Sequence, residues 1–516
     1  MTSAQIISLV VLAAYMLLCV GIGIYAGRAQ RAGTAKEYLT GGGGVGFWIN
    51  GFAIFAAFAT GGTMLGNLGL SYAGGWGYIT AYNAGVAVGY LLTTFFLAKV
   101  LRNMNVSTIP EFIKARFRNK ALNIIVPLVL VVTLLAYLVA QMKVGGMIGE
   151  RLFGIPYGWS VVLIGVVYVF YTFIGGMKAV TLTDFIQGLL MIGVIVATGA
   201  IAATTNGGGL ASYDLAQELR PAWTTGSEKY PFVAYLGGFL VWATVNAVLP
   251  HTVMRLFAAK DERTGRASLV LGLGLYVLTA FVTVIAIVAS TIIITGGADL
   301  KNPDETLLIF LETVPPWLMA LAFAGIFAAV MSSVSAMLLG LSAAFAYDFL
   351  PEVRPSMTDG AKRTWTKYGI LVFGLATLLL ALNPPALLTL LYSAAMGLLA
   401  SALFFPTMLG VWWRRMNSIG ALAGAVAGGV SYLILLWGFQ LPPLSQILIS
   451  LPISLVACIV GSLASRPPEP RELHRIAVAH EREFVPGEDD YAEDVLATDE
   501  GVVRSAGGAT ADRPLA

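Results

Sequence analysis

Charge is what this chain has least of. Only 11% of its 516 residues are Asp, Glu, Lys or Arg, where a soluble domain carries about 25%. With 57% hydrophobic residues and a mean hydropathy of +0.80, it reads as an all-α, polytopic membrane protein. Cysteine is nearly absent too. Cys19 and Cys458 both sit in apolar runs, so neither a disulfide framework nor a thiolate metal site is implied. Of the three histidines, His251, His474 and His480, two fall in the C-terminal tail, which argues against a His-rich metal centre. No paired carboxylates, Ser-His-Asp or Cys-His set stands where an enzyme needs one. Gly41-Gly-Gly-Gly44 has no strand before it and no Lys-Ser/Thr after it. A phosphate cradle is therefore excluded, and the run reads as a flexible lead-in to the next span. No cofactor, ATP site or nucleic-acid partner is called for.

What is present in abundance is apolar sequence. A spanning helix needs about 20 mostly apolar residues. That rule predicts thirteen spans, at about 4–26, 47–71, 76–101, 121–150, 157–175, 181–204, 231–256, 267–296, 316–346, 367–383, 386–412, 418–438 and 443–465. The first reads as a span and not a signal peptide, being too long and without a basic leading region. One set of alternate loops holds Arg28, Arg31, Lys36, Arg102, Lys114, Arg116, Arg118, Lys120, Lys178, Lys260, Arg263, Arg266, Arg354, Lys362, Arg363, Arg414 and Arg415. The opposite set offers Arg151, Arg220, Lys229 and Lys301. The positive-inside rule then places the N-terminus outside and the C-terminus in the cytoplasm. Residues 1–465 form the membrane domain. After Pro467-Pro-Glu-Pro470, an acidic run around Glu488-Asp-Asp490 and Glu493-Asp494 gives 466–516 the composition of a disordered cytoplasmic tail.

The second span carries the chemistry. Its middle, Ala59-Thr60-Gly61-Gly62-Thr63, is a poor helix centre. A helix broken there frees carbonyls for a cation and amides for an anion; the alternative is that Gly61-Gly62 marks a close helix contact. Span seven is interrupted in the same way, by Gly237-Gly238 and Pro250. The two lie five spans apart, as expected of two inverted five-helix repeats meeting at a midplane site.

Polar groups within spans are functional candidates by default. Span nine brings Ser332, Ser333 and Ser335 together, either as oxygen ligands for a hard monovalent cation or as helix packing. Asp184, with Gln187 one turn on, either assists cation release or favours a helix N-terminus in its first turn. Lys143 either snorkels and pairs with Glu150, or is the counter-charge to a substrate carboxylate.

The chain resembles the sodium:solute symporter family over nearly all of residues 1–465. The resemblance is carried by Lys36-Glu-Tyr-Leu-Thr-Gly-Gly42, Thr108-Ile-Pro-Glu-Phe-Ile-Lys-Ala-Arg-Phe117 and Gly175-Gly-Met-Lys-Ala-Val-Thr-Leu-Thr-Asp-Phe-Ile-Gln-Gly188. Pro250-His-Thr-Val-Met-Arg-Leu-Phe-Ala-Ala-Lys260, Ala328-Ala-Val-Met-Ser-Ser333 and Phe405-Pro…Gly410-Val-Trp-Trp-Arg-Arg415 complete it. It implies a LeuT-like fold, with core repeats at about 47–204 and 231–412 and three extra helices. It also implies a sodium site at the carbonyls of Ala56, Ala59 and Ala329 and the hydroxyls of Ser332 and Ser333. A second sodium site of some members is matched by Asp184, Ser332 and Ser335, but Ala336 departs from it. The implied solute bears a carboxylate: a monocarboxylate such as acetate or pyruvate, or pantothenate. Phe58 stands where the family's proline carriers have an aspartate, and Thr63 where its sugar carriers have an amide. The expected substrate contacts are Thr60, Gly61, Gly62, Thr63, Tyr78, Tyr82, Trp242, Asn246 and Lys143, with the Gly61-Gly62 amides holding the carboxylate. A proline, sugar or sialic-acid symporter, a proton-coupled carrier and a non-transporting sensor of the same fold are the alternatives. The implied setting is a bacterial-type inner membrane.

Overall fold

The computed structural model describes residues 3–29, 35–205, 209–226, 230–384, 388–483, 485 and 489. Arg31, Lys229 and the acidic run apart from Asp489 lie outside these. Every described element is helical except one isolated bridge, Val45 to Ala259. The helices used below are α1 (Ser3–Ala29), α2 (Phe47–Phe58), α3 (Gly62–Gly74), α4 (Trp76–Asn103), α5 (Lys120–Phe153), α6 (Tyr157–Phe170), α7 (Gly176–Thr204), α8 (Phe232–Val245) and α9 (Pro250–Ala258). They continue with α10 (Glu262–Ile294), α11 (Pro316–Val353), α12 (Asp359–Ala381), α13 (Leu388–Trp412), α14 (Ser418–Gly438), α15 (Ile447–Leu463) and α16 (Pro470–Glu481). Among the described residues, eight helices are long and apolar enough to cross a membrane, nine if the bent pair α2–α3 is one span.

The core is organised around α11. Its residues from Ala322 to Ala344 are all buried, so it is the central post against which α1, α5, α6–α7 and the α2–α3 break all pack. Small residues let the neighbouring helices come close. A Cβ on Gly85 of α4 would lie 2.2 Å from the Phe239 carbonyl oxygen of α8, and one on Gly424 of α14 would lie 2.1 Å from Cys458 Sγ of α15. Gly85→Ala is therefore expected to force α4 and α8 apart and cost about 1–3 kcal/mol. Gly193→Ala, where a Cβ meets nothing within 4 Å, is the control. Melting temperatures of the two purified variants check this.

Two breaks position the site. Gly41, Gly42 and Gly43 take positive φ of 70°, 87° and 67°, which glycine alone adopts freely. They turn the chain so that Val45 N–H donates to Ala258 O and Lys260 N–H to Val45 O, at 3.0 and 3.1 Å. The run expected to be flexible thus pins the start of α2 to the end of α9. Span seven breaks at residues 246–249 and not at Gly237-Gly238, which lie inside α8. Gly237 allows the 444–445 backbone to approach: a Cβ would sit 2.4 Å from Leu444 O.

The tail differs from expectation in its first part. Residues 470–481 form α16, started by a capping box between Glu469 and Glu472. The low-hydropathy composition hid an apolar stripe whose Ile476 and Ala479 are buried against the membrane domain.

Candidate functional site

Ala59 leaves the helical conformation at φ −74°, ψ 65°, and α3 resumes at a 55° bend to α2. The break rewires the backbone. Thr60 N–H donates to Phe58 O at 2.8 Å in place of Ala56, and Thr63 N–H donates to Thr60 Oγ1 at 3.0 Å in place of Ala59. The Ala56 and Ala59 carbonyls therefore lose their ladder partners. Across the gap, Ser332 Oγ lies 2.7 Å from Ala56 O and 3.0 Å from Ala329 O, while Ser333 Oγ donates to Ala329 O at 2.8 Å. Ser332 has one hydroxyl proton and can serve only one of its two acceptors at a time. All these groups are buried. The structure thus gathers Ala56, Ala329, Ser332 and Ser333 into one oxygen-only cluster, with Ala59 in the same break. Ser335 bonds back to Ser332 O at 3.1 Å.

The glycine pair is not itself the break, which falls just before it at Ala59-Thr60. Gly61 is helical at φ −56°, ψ −38°. Its absent side chain permits close approach: a Cβ would lie 2.4 Å from Val330 Cγ2 on Gly61 and 2.6 Å from Tyr392 Cε1 on Gly62. A broken helix and a close contact coexist here. The expected amide cradle is occupied, because Gly62 N–H donates to Gln141 Oε1 at 3.3 Å and Thr63 N–H to Thr60. Thr63 Oγ1 in turn donates to Phe58 O at 2.9 Å.

Beside the break is a cavity of about 10 Å³ walled by Phe58, Thr63, Tyr82, Tyr137, Trp242 and Tyr276, among others. That is room for about one water, so the walls have closed on one another. Of the expected substrate contacts, Thr63, Tyr82 and Trp242 line it. Tyr78 does not; its ring packs on Tyr230 and Tyr235, with centroids 5.0 and 5.3 Å away. Asn246 does not either. Its Nδ2 donates to Val86 O and Trp242 O at 3.2 and 3.0 Å, which holds the second break against α4. Lys143 pairs at 3.3 Å with the fully buried Asp304 and not with Glu150, which faces out. The pairing crosses 161 residues of sequence, beyond any helix-spacing rule.

Asp184 is likewise not a first-turn anion. α7 starts at Gly176, whose φ of 58° separates it from α6, so Asp184 lies more than two turns in. Its Oδ2 is paired with Arg255 of α9, both side chains being essentially unexposed. Arg255 also donates to Thr181 Oγ1 at 2.9 Å, and its carbonyl accepts from Asn50 Nδ2 of α2 at 3.2 Å.

Several site residues escaped the sequence reading. Gln141 had a signal, being an amide deep in an apolar span two residues from Lys143. Tyr392 had none, yet it accepts from Tyr82 at 3.0 Å and donates to Asn67 Oδ1 at 3.1 Å. Asn83 then takes bonds from Asn67 and Tyr276, at 3.4 and 2.8 Å.

Known proteins share this architecture. Residues 38–428 match the family model for the sodium:solute symporter family. The sodium/pantothenate symporter of Escherichia coli (strain K12) is 28% identical over 466 residues, covering 87% of this chain and 95% of the relative. The sodium/proline symporter of Staphylococcus aureus is also 28% identical, covering 85% and 87%. A Na+-coupled sialic acid symporter solved in a substrate-bound outward-open state superposes with a TM-score of 0.75 at 22% identity, over 89% of this chain and 98% of that one. A nucleobase-cation-symport-1 family transporter in a closed conformation gives a TM-score of 0.57 at 17% identity, over 85% and 97%. With the family model spanning most of its length and the fold agreeing, this chain is an integral, multi-pass membrane protein that belongs to the sodium:solute symporter family.

Proposed function

We propose that the protein is a sodium-coupled symporter that imports a small carboxylate-bearing solute, a monocarboxylate such as acetate or pyruvate, or pantothenate. The observation that carries the coupling ion is the Ser332 bridge between Ala56 O and Ala329 O across the α2–α3 break. Carbonyls released from a helix, facing hydroxyls in a dry setting, suit a hard monovalent cation. Sodium then replaces the serine protons as the partner of those carbonyls and draws α11 to the break. One sodium per cycle is the reading, since Ala336 departs from the second-site pattern; Asp184, with Oδ1 buried and lacking a protein partner, and Ser335 are the residues a second sodium would use.

For the solute, the supporting observation is a pair of unused donors. Gln141 Nε2 and Trp242 Nε1 are both buried with no protein partner, and N–H donors of this kind satisfy a carboxylate. Thr63 lines the cavity beside Trp242 and Gly62 bonds to Gln141, and in this reading Thr60 and Gly61 complete the substrate wall. Substrate access requires the tight cavity to open, as alternating access supplies. The proposed topology has thirteen spans across residues 1–465, a count supported by the nine long or bent spans together with four shorter apolar helices. The core repeats are 47–204 and 231–412, the N-terminus is outside and the C-terminus is cytoplasmic in a bacterial-type inner membrane.

Uptake into proteoliposomes tests this, with labelled acetate, pyruvate, pantothenate and proline under an inward sodium gradient or a matched potassium gradient. Sodium-driven accumulation of one carboxylate is expected. Thr63→Ala and Trp242→Ala are each expected to weaken its apparent affinity about tenfold, the equivalent of one lost hydrogen bond to a charged group. Unchanged affinity in both removes the cavity from the reading. Uptake that ignores sodium and collapses with a protonophore identifies a proton-coupled carrier. Binding without flux identifies a sensor.

A further inference from the structure

A cavity that belongs to none of the preceding sites lies under the C-terminal helix. α16 is strapped to the membrane domain by side chains at several points. Asn103 Nδ2 donates to Ala479 O at 3.0 Å, Arg475 Nη2 to Met104 O at 3.1 Å, and His480 Nε2 lies 3.0 Å from Val411 O. Between α16, the end of α13 and the short helix Ile109–Phe117 it leaves a cavity of about 620 Å³. Its lining includes Arg116, Trp412, Arg414, His474 and His480, with Glu481 as the one acidic side chain.

Arg116 is the informative member. It is 1% exposed. Its Nε and Nη2 donate to Gly410 O and Met416 O, both at 2.9 Å, which caps the turn after α13. Its Nη1 is buried with no protein partner. Burial lowers its pKa to about 10, with Glu472 opposing the shift, so the guanidinium is still charged at neutral pH. His474 Nε2 is a second buried, unpartnered nitrogen in the same lining. Arg414 is exposed at the rim. Trp412, 51% exposed and edge-on to His480 with centroids 5.0 Å apart, is of the kind that collects at membrane–water interfaces. A buried guanidinium with a spare N–H, an imidazole and a rim arginine match the several acceptor oxygens of a phosphate group.

We propose that this cavity binds a phosphate-bearing anion, through Arg116 Nη1, His474 Nε2 and Arg414, on the face that is cytoplasmic in the orientation proposed above. Binding joins α16 to α13 and to the Ile109–Phe117 helix, so the anion is a third component of that contact. The phosphate comes either from an anionic lipid headgroup or from the aqueous phase.

The test uses the full-length purified protein and reads its melting temperature. One arm compares nanodiscs of phosphatidylcholine with nanodiscs containing phosphatidylglycerol. The other adds inorganic phosphate in neutral detergent, against chloride at the same ionic strength. A saturable rise is expected in one arm. It assigns the source to lipid if only phosphatidylglycerol acts, and to the aqueous phase if phosphate acts in detergent. Arg414→Gln/His474→Gln, which spares the capping bonds of Arg116, is expected to melt like the parent without the anion and to need about tenfold more of it. If the double variant melts low by itself, His474→Gln alone is compared with its own anion-free baseline. Lys260→Gln removes an exposed charge elsewhere and should leave the rise intact. No rise in either arm, or a rise undiminished in the cavity variants, overturns the proposal.

Discussion

Ser333→Ala is expected to weaken apparent sodium affinity by about tenfold or more while leaving the protein folded. Ser333 Oγ makes one bond, back to Ala329 O four residues earlier in its own helix. Such back-bonds contribute little to helix stability, so removing it as a structural element should barely move the melting temperature. Removing it as one of five oxygens around a cation is different. In a buried site each ligand replaces hydration the ion has already given up. Ser332→Ala loses more, because Ala56 O then stays buried without its bridging hydroxyl, which costs about 1–3 kcal/mol. Two readouts separate the roles. Uptake recovered at high sodium marks a ligand, and for Ser333→Ala it should come with little change in melting temperature. Uptake lowered equally at every sodium concentration, with a lower melting temperature, marks a helix contact and removes both serines from the coupling site.

How far the sequence carried the fold depended on the range of the interaction. The break in the second span was legible because helix propensity is local: Gly61-Gly62 in an apolar run marks its own anomaly. Even so, the bend sits at Ala59-Thr60, since the glycines serve the approach of Val330 and Tyr392, which propensity cannot report. The serine cluster was legible for the same local reason, as three hydroxyls within four residues. Ion partners were not. Lys143 finds Asp304 and Asp184 finds Arg255 across 161 and 71 residues, and helix spacing offered only near neighbours such as Glu150. Tyr78 and Asn246 were expected at the substrate, but the face that each presents is set by Tyr230, Tyr235 and the Val86 carbonyl, which span position cannot report. The helix of the tail was missed because its apolar stripe is short and lies among charges, where composition outweighs periodicity.

Asp184→Ala and Arg255→Ala are each expected to yield little folded protein. The pair is buried on both sides, and deleting one partner strands the other charge in a low-dielectric interior, at a cost of about 3–5 kcal/mol. Removing both charges is a different experiment. Asp184→Leu/Arg255→Met leaves no uncompensated ion, and buried pairs replaced by apolar side chains of similar volume are often neutral or stabilising. The double variant is therefore expected to recover most of the parent melting temperature. Its uptake separates two roles for the pair. Arg255 sits on α9, just after the second break, and holds Thr181 of α7 through its side chain and Asn50 of α2 through its carbonyl. One residue thus ties both broken helices to the helix that carries Asp184. If alternating access needs that tie to hold in one state and shift in another, the double variant folds and does not transport. Uptake at the parent rate in a well-folded double variant would make the pair a packing element, and would leave Asp184 without a part in the second sodium site.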